Sequence, residues 1–446
     1  MINGYKIIVF GLGVTGISSV KALSRLKQKV FIYVDKKDEG YYKSLEDLKG
    51  YNFSEICSIE DIDWESIDLV LKSPGIRLDN PFIQLCREKK VECISDIELA
   101  FRLWDKIKFI AITGTNGKTT TTHMVSEILT AGKIKNQIVG NIGVGLLWQV
   151  VDKGLDYVYV LELSSFQLAS SPKFRAKYSC LTNISPDHID WHGSFEEYLN
   201  AKINITKNQV KDDLIVVNAD DESSKIVEKV TKAKIRWIST HEKVNRGAYC
   251  LGDRVYINGE ESPIKRSDLK LVGDHNLQNV LCAIVLCYEY GVKVEDIRSA
   301  IVEMKPIEHR IEWVRNIRGV DFYNDSKGTN VDSTVKAIDG FRSNIILIAG
   351  GYDKKSEYDN LFAGKDNIKK TILFGKTKYD IANTAKKYSV DTVICDDLVE
   401  AVDLAVEFAS KGDTVLFSPA CASWDMYKSF EQRGEHFKEL VNNLDG

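Results

Sequence analysis

The segment Gly114-Thr115-Asn116-Gly117-Lys118-Thr119-Thr120 stands directly after the apolar run Phe109-Ile110-Ala111-Ile112. A buried strand that breaks into a polar glycine loop and resumes as a helix, here Thr120–Thr130, aims backbone N–H groups and a helix dipole at phosphate oxygens. In that setting Lys118 reaches the β- and γ-phosphates of ATP, and Thr119 offers its hydroxyl to Mg2+. The loop is a short variant, because the extended phosphate-loop pattern has a glycine where this chain has Ile112. Glu162 follows the strand-like run Tyr157–Leu161, where an acidic Mg2+ ligand is needed. Asp187 and His188 follow the run Tyr178–Asn183 and offer a carboxylate and an imidazole to a metal or phosphate.

A second glycine loop, Gly11-Leu12-Gly13-Val14-Thr15-Gly16, follows the run Lys6–Phe10, and Asp35 closes the next strand. This is the strand–turn–helix setting of a nucleotide-diphosphate site, with Asp35 able to accept from a ribose hydroxyl. Ser73-Pro74-Gly75 ends a third strand at the same edge. Taken alone, this loop would also fit a nicotinamide dehydrogenase, which leaves Gly114–Thr119 unexplained, or a tight turn without a ligand. A nucleotide sensor without turnover is a further reading of the two loops. Together they point to ATP in one domain and a nucleotide-carrying substrate in another.

Two polar clusters near the C-terminus also fall at strand ends: Asn324 to Asn330 after Val320–Tyr323, and Ser418 to Asp425 after Thr414–Phe417. With Gly350–Lys354 they suit a small anionic substrate such as an amino acid. His275 to Asn279 precedes the apolar helix Val280–Tyr290, and its amides suit capping or adenine recognition. Lys202, on the helix Phe195–Lys207, has the pattern of an ordinary surface lysine.

Positioning these groups requires alternating strands and helices. Short apolar runs alternate with amphipathic stretches along the chain, which predicts βαβ units and mostly parallel sheets. A hairpin over Ala248–Leu251 and Val255–Ile257 interrupts them. The 446 residues suggest about three domains, with boundaries near 106 and 307. Sixty basic against sixty-four acidic side chains argue against a nucleic-acid groove. Nine scattered cysteines without a C-x-x-C pair fit a reducing cytoplasm, and no run is long and apolar enough for a membrane span.

These motifs together resemble the Mur ligase family over the whole chain. The resemblance rests on Gly114–Thr119, Gly140-Asn141-Ile142-Gly143, Leu161–Gln167, Asp187-His188, Gly273–Asn276 with Asn279, His309-Arg310, Asn324–Lys327 with Thr329-Asn330, and Ser418–Ser423 with Phe430–Gly434. It implies an α/β protein of three domains: a Rossmann-like UDP-substrate domain (1–106), a central P-loop ATPase domain (107–307) and a Rossmann-like amino-acid domain (308–446). It implies ATP-driven addition of D-glutamate to UDP-N-acetylmuramoyl-L-alanine through an acyl phosphate. It assigns ATP contacts to Gly114, Thr115, Asn116, Gly117, Lys118, Thr119, Thr120, Asn279, Arg310 and Asp325, with Lys118, Glu162, His188 and Lys202 as catalytic residues. Thr119, Glu162, His188 and a carbamylated Lys202 would hold Mg2+. UDP-substrate contacts fall on Val14, Thr15, Asp35, Lys36, Ser73, Gly75, Asn141, Ser164 and His188. The D-glutamate pocket falls on Lys327, Thr329, Lys354, Ser423, Trp424 and Phe430. The expected enzyme is a cytoplasmic monomer.

Overall fold

Three sheets organise the chain in the computed structural model, which describes residues 4–269, 273–304, 308–352 and 356–445. The first contains β1 (Lys6–Phe10), β2 (Lys29–Tyr33), β3 (Ser54–Glu55), β4 (Leu69–Lys72) and β5 (Cys93–Ile94), in the order β3-β2-β1-β4-β5. All four pairings are parallel. Ile7 to Phe10 are buried because parallel strands are covered on both faces, and this forces a continuous apolar run.

The second sheet contains β6 (Lys108–Thr113), β7 (Asn136–Gly140), β8 (Val158–Glu162), β9 (Tyr178–Leu181), β10 (Leu214–Asn218), β11 (Lys234–Ser239), β12 (Gly247–Leu251), β13 (Arg254–Ile257) and β14 (Glu260–Lys265). Their order is β14-β13-β12-β11-β10-β9-β6-β8-β7. The pairings are parallel up to β12, and β12 to β14 form an antiparallel meander. The anticipated hairpin is present, with the added edge strand β14. Its sequence, Glu-Glu-Ser-Pro-Ile-Lys, lacks an apolar run, and proline is tolerated in a strand only at such an edge.

The third sheet contains β15 (Glu312–Ile317), β16 (Val320–Asn324), β17 (Ile345–Ala349), β18 (Ile368–Leu373), β19 (Thr392–Ile394) and β20 (Thr414–Phe417), ordered β15-β16-β20-β17-β18-β19. Only β15 runs antiparallel to its neighbour. The chain therefore has the expected α/β architecture. By contact it divides into two compact units. Residues 1–268 with 278–303 carry the first two sheets, and 269–277 with 304–446 carry the third. The boundary expected at 307 lies outside the described residues. Among the described residues no helix is long and apolar enough to cross a membrane, and all nine cysteines are free thiols.

Within the first unit the two sheets are joined by buried polar contacts. Glu98 accepts from the backbone N–H groups of Lys173 and Phe174, the latter at 2.7 Å, and from Arg102 Nε at 2.7 Å. Ser18 Oγ donates to the Gly145 carbonyl at 3.1 Å. Asp96, on the first turn of the helix Asp96–Leu103, takes backbone N–H donors from Ile97 and Leu146. Burial nevertheless pushes its pKa up to about 6, and its Oδ1 has no partner among the described residues.

Candidate active site

The strand order places β9, β6, β8 and β7 side by side and parallel, so their C-terminal ends form one rim. Four of the sequence motifs leave from this rim. Gly114 to Lys118 follows β6, Asn141 follows β7, Glu162 ends β8, and the segment to His188 follows β9. The glycine loop is fastened to the β9 segment. Thr115 N donates to the Asn183 carbonyl at 2.9 Å, and Asn116 N donates to Asn183 Oδ1 at 2.9 Å. Thr182 Oγ1 donates to the Asn116 carbonyl at 2.6 Å.

Gly117 caps the helix Lys118–Ala131 with φ +81°, a left-handed conformation that a β-carbon resists. A Cβ at this position would lie 2.1 Å from Asn279 Oδ1. Asn279 thus packs on the turn of the loop. It sits inside a helix that begins at Asp274, not at Val280, so the capping reading of His275 to Asn279 is corrected. The amides lie within the first turns because Gly273, at φ +92°, already turns the chain into the helix.

Two lysines converge on the loop. Lys118 Nζ donates to the Gly114 and Thr115 carbonyls at 2.9 and 2.8 Å. Lys202 Nζ donates to the same Gly114 carbonyl at 2.6 Å and lies 4.6 Å from the centre of the Tyr198 ring. Lys202 is not the surface lysine its sequence position suggests, being only 2% exposed. Burial, and then the Lys118 charge, push its pKa well below the usual lysine value. Tyr198 is itself buried, and its hydroxyl meets Thr115 Oγ1 at 2.8 Å.

Glu162 is buried, and its Oε1 accepts from Asn141 Nδ2 at 2.9 Å. Its Oε2 has no partner among the described residues, and neither do the buried hydroxyls of Thr120 and Thr122. An orphaned, buried carboxylate oxygen at the rim from which the glycine loop also leaves suits a hard, oxygen-seeking cation, so Glu162 and the Thr119 hydroxyl are donors of the type Mg2+ takes. His188 stands at φ +53° before the short helix Ile189–His192, with Nε2 3.6 Å from Asp187 Oδ2 and its ring 4.9 Å from Phe166. Sequence reasoning passed over His192, whose Nε2 meets Ser165 Oγ at 2.9 Å. Burial and the His188 and Lys202 charges lower its pKa to about 4, so the ring is neutral at physiological pH. Ser164 serves a capping box with Gln167.

The first glycine loop and Ser73 meet as expected, with Ser73 Oγ donating to the Gly11 carbonyl at 3.0 Å. Val14, Asp35 and Lys36 are exposed at that edge, and Thr15 is half-buried. Asp35 accepts from Asn80 Nδ2 at 2.9 Å. Lys72 is buried, and its Nζ donates to the carbonyls of Ser73, Pro74 and Ile76 at 3.3, 3.3 and 3.0 Å. That loop reaches the second sheet, because Trp191 Nε1 donates to the Gly75 carbonyl at 3.2 Å and Arg77 donates to the Asp190 carbonyl. A cavity of about 320 Å³ opens beside it, lined by Arg77, Asp79, Trp191, His192, Glu197 and Asn200 among others.

In the second unit β16, β20 and β17 are neighbours, and their C-terminal ends carry the other polar clusters. Asp325 is buried, accepts from Ser418 Oγ at 2.6 Å, and has its pKa raised to about 6 by that burial, against the pull of Arg310. His275 is held to a pKa of about 3 by burial and the Arg310 charge. Lys327 Nζ lies 5.2 Å from the Phe430 ring centre, and Thr329 N donates to the Lys327 carbonyl at 2.9 Å. Ser423 is buried, while Trp424 is exposed with its ring 5.6 Å from Tyr352. Lys354 lies outside the described residues.

Three family models match the chain: the N-terminal domain described as Mur ligase MurD-like at residues 5–95, the Mur ligase middle domain at 112–287, and the Mur ligase glutamate ligase domain at 309–421. Among curated relatives, a UDP-N-acetylmuramoylalanine--D-glutamate ligase of Thermoanaerobacter sp. (strain X514) is 41% identical over 99% of both chains. The protein of that name from Clostridioides difficile (strain 630) is 42% identical over 99% of both. Among solved structures, a UDP-N-acetylmuramate-alanine ligase from Thermotoga maritima shares the fold, with a TM-score of 0.61 and 20% identity. That match covers 98% of this chain and 99% of the other.

Proposed function

We propose, from the premise that the chain belongs to the Mur ligase family, that it is the ATP-dependent ligase joining D-glutamate to UDP-N-acetylmuramoyl-L-alanine in peptidoglycan precursor synthesis. The observation that carries the substrate assignment is the full-length likeness, at 41 and 42% identity, to relatives bearing that name. The domains proposed are 1–106, 107–307 and 308–446, a reading supported by the separate matches at 5–95, 112–287 and 309–421. The enzyme works in the cytoplasm as a monomer on small molecules, without nucleic acid or membrane.

The alanyl carboxylate takes the γ-phosphoryl group of ATP, giving ADP and an acyl phosphate. The amine of D-glutamate attacks the acyl carbon, and phosphate leaves the tetrahedral intermediate as the amide forms. Phosphoryl transfer asks the protein for alignment and charge neutralisation more than for covalent help. Lys118 and the N-terminus of its helix, with Arg310, balance the phosphate charge, while Asn279 and Asp325 contact the nucleotide. Mg2+, held by Thr119, Glu162, His188 and a carbamylated Lys202, would add charge neutralisation at the phosphoryl oxygens. Val14, Thr15, Asp35, Lys36, Ser73, Gly75, Asn141, Ser164 and His188 orient the UDP-substrate. Lys327, Thr329, Lys354, Ser423, Trp424 and Phe430 receive D-glutamate.

Phosphate release from ATP, measured with an amino-acid panel, tests this reading. Turnover should require UDP-N-acetylmuramoyl-L-alanine and D-glutamate together. Equal turnover with L-glutamate, or preference for another amino acid, would replace D-glutamate in the assignment.

A further inference from the structure

Arg433 is the largest fully buried side chain among the described residues, 1% exposed on the helix Phe430–Asn442. Burying a guanidinium is costly, and such groups normally meet a carboxylate. Among the described residues this one forms no ion pair. Its Nε donates to Ser326 Oγ at 3.0 Å, and its Nη2 donates to the Ser326 carbonyl at 2.8 Å and the Cys421 carbonyl at 3.1 Å. Ser326 Oγ in turn donates to the Phe430 carbonyl at 2.8 Å. Burial lowers the Arg433 pKa only to about 10, so it remains a cation at neutral pH.

The groups held by this fork belong to loops at the ends of adjacent strands, not to the apolar core. Ser326 precedes Lys327 and Thr329, Cys421 precedes Ser423, and Phe430 opens the helix that carries Arg433 itself. A third segment approaches the remaining nitrogen. Nη1 has no partner among the described residues, and a Cβ at Gly351, whose φ is +150°, would lie 3.2 Å from it. Tyr352 N then donates to the Ala422 carbonyl at 2.8 Å. A planar fork with fixed donor directions can hold two loops at a set spacing, which a point-charged lysine or an apolar side chain cannot.

We propose that Arg433 is a positioning residue for the amino-acid substrate, holding Lys327, Thr329, Ser423 and Phe430 at the spacing that binds D-glutamate without touching it. The proposal rests on the ligase reading above. The test uses the full-length enzyme with ATP, UDP-N-acetylmuramoyl-L-alanine and D-glutamate in a phosphate-release assay. Arg433→Met and Arg433→Lys should each raise the KM for D-glutamate at least tenfold, leaving the KM for ATP and for the UDP-substrate within twofold. Added guanidinium should recover part of the loss in Arg433→Ala. Ser326→Ala, which removes the Nε acceptor and the hydrogen bond to the Phe430 carbonyl, should raise the D-glutamate KM several-fold and covers the case in which the arginine variants do not fold. An unchanged D-glutamate KM in folded Arg433→Met or in Ser326→Ala, or parallel losses for all three substrates, would overturn the proposal. Wild-type enzyme without any D-glutamate-dependent release would instead overturn the ligase reading.

Discussion

Lys118 and Lys202 share one acceptor: both ammonium groups point to the Gly114 carbonyl, at 2.9 and 2.6 Å. Burial, and then the nearby Lys118 charge, push the Lys202 pKa well below the usual lysine value, which favours its neutral amine relative to an ordinary lysine. A neutral amine is the form able to take up carbon dioxide as a carbamate, turning a base into an anionic oxygen ligand. Lys202→Ala should lower kcat by roughly a hundredfold or more. Added formate or acetate should restore part of the phosphate release, and no recovery at any concentration would exclude a carboxylate role at this position.

Gly117→Ala tests the contact between the phosphate loop and Asn279. The added methyl must sit in a left-handed conformation, at about 1–2 kcal/mol, and 2.1 Å from the amide oxygen, so the loop has to shift. The KM for ATP should rise at least tenfold. Thermal unfolding should show a protein still folded, with a Tm only a few degrees lower.

The hydrogen bond from Asn141 to Glu162 ties a proposed substrate contact to a proposed metal ligand. Hydrogen bonds to a charged group are worth about 1.5–3 kcal/mol, or roughly ten- to a hundredfold in affinity. Asn141→Ala should therefore raise both the KM for the UDP-substrate and the Mg2+ concentration giving half-maximal rate. A variant in which only the substrate KM moves would separate the two functions.

Asp96 predicts a pH dependence of stability. Its folded pKa of about 6 lies above the reference value of 3.8. The stability linked to its protonated form is fully present below pH 4 and is lost as the pH rises through 6. The loss amounts to about 3 kcal/mol. Denaturant unfolding of Asp96→Asn between pH 4 and 7 should show a flatter profile than the wild type by about that amount.

Much of this was legible from residue order because phosphate loops and parallel strands have strong local signatures. Lys6–Phe10 and Thr414–Phe417 form strands with the bounds their apolar runs predict. The common rim of Thr113, Glu162 and Asn141 follows from the same alternation. Three things were hidden. Lys202 has the sequence surroundings of a solvated lysine, and only tertiary packing of its helix on the loop buries it. His192 and Tyr198 belong to an aromatic cluster that forms across separate segments. The first turn of the helix at Asp274 is polar, so apolar periodicity placed its start several residues late.

Trp191 gives the molecule an optical probe of its own. Its indole donates to Gly75 in the first-sheet loop, lies 4.6 Å from the Phe166 ring, and is three residues from His188. Tryptophan emission responds to a change in either its hydrogen bond or its polar surroundings. Occupancy of the proposed UDP-substrate loop can therefore be followed by fluorescence without a label, with Trp191→Phe as the blank that isolates this indole from the other six tryptophans.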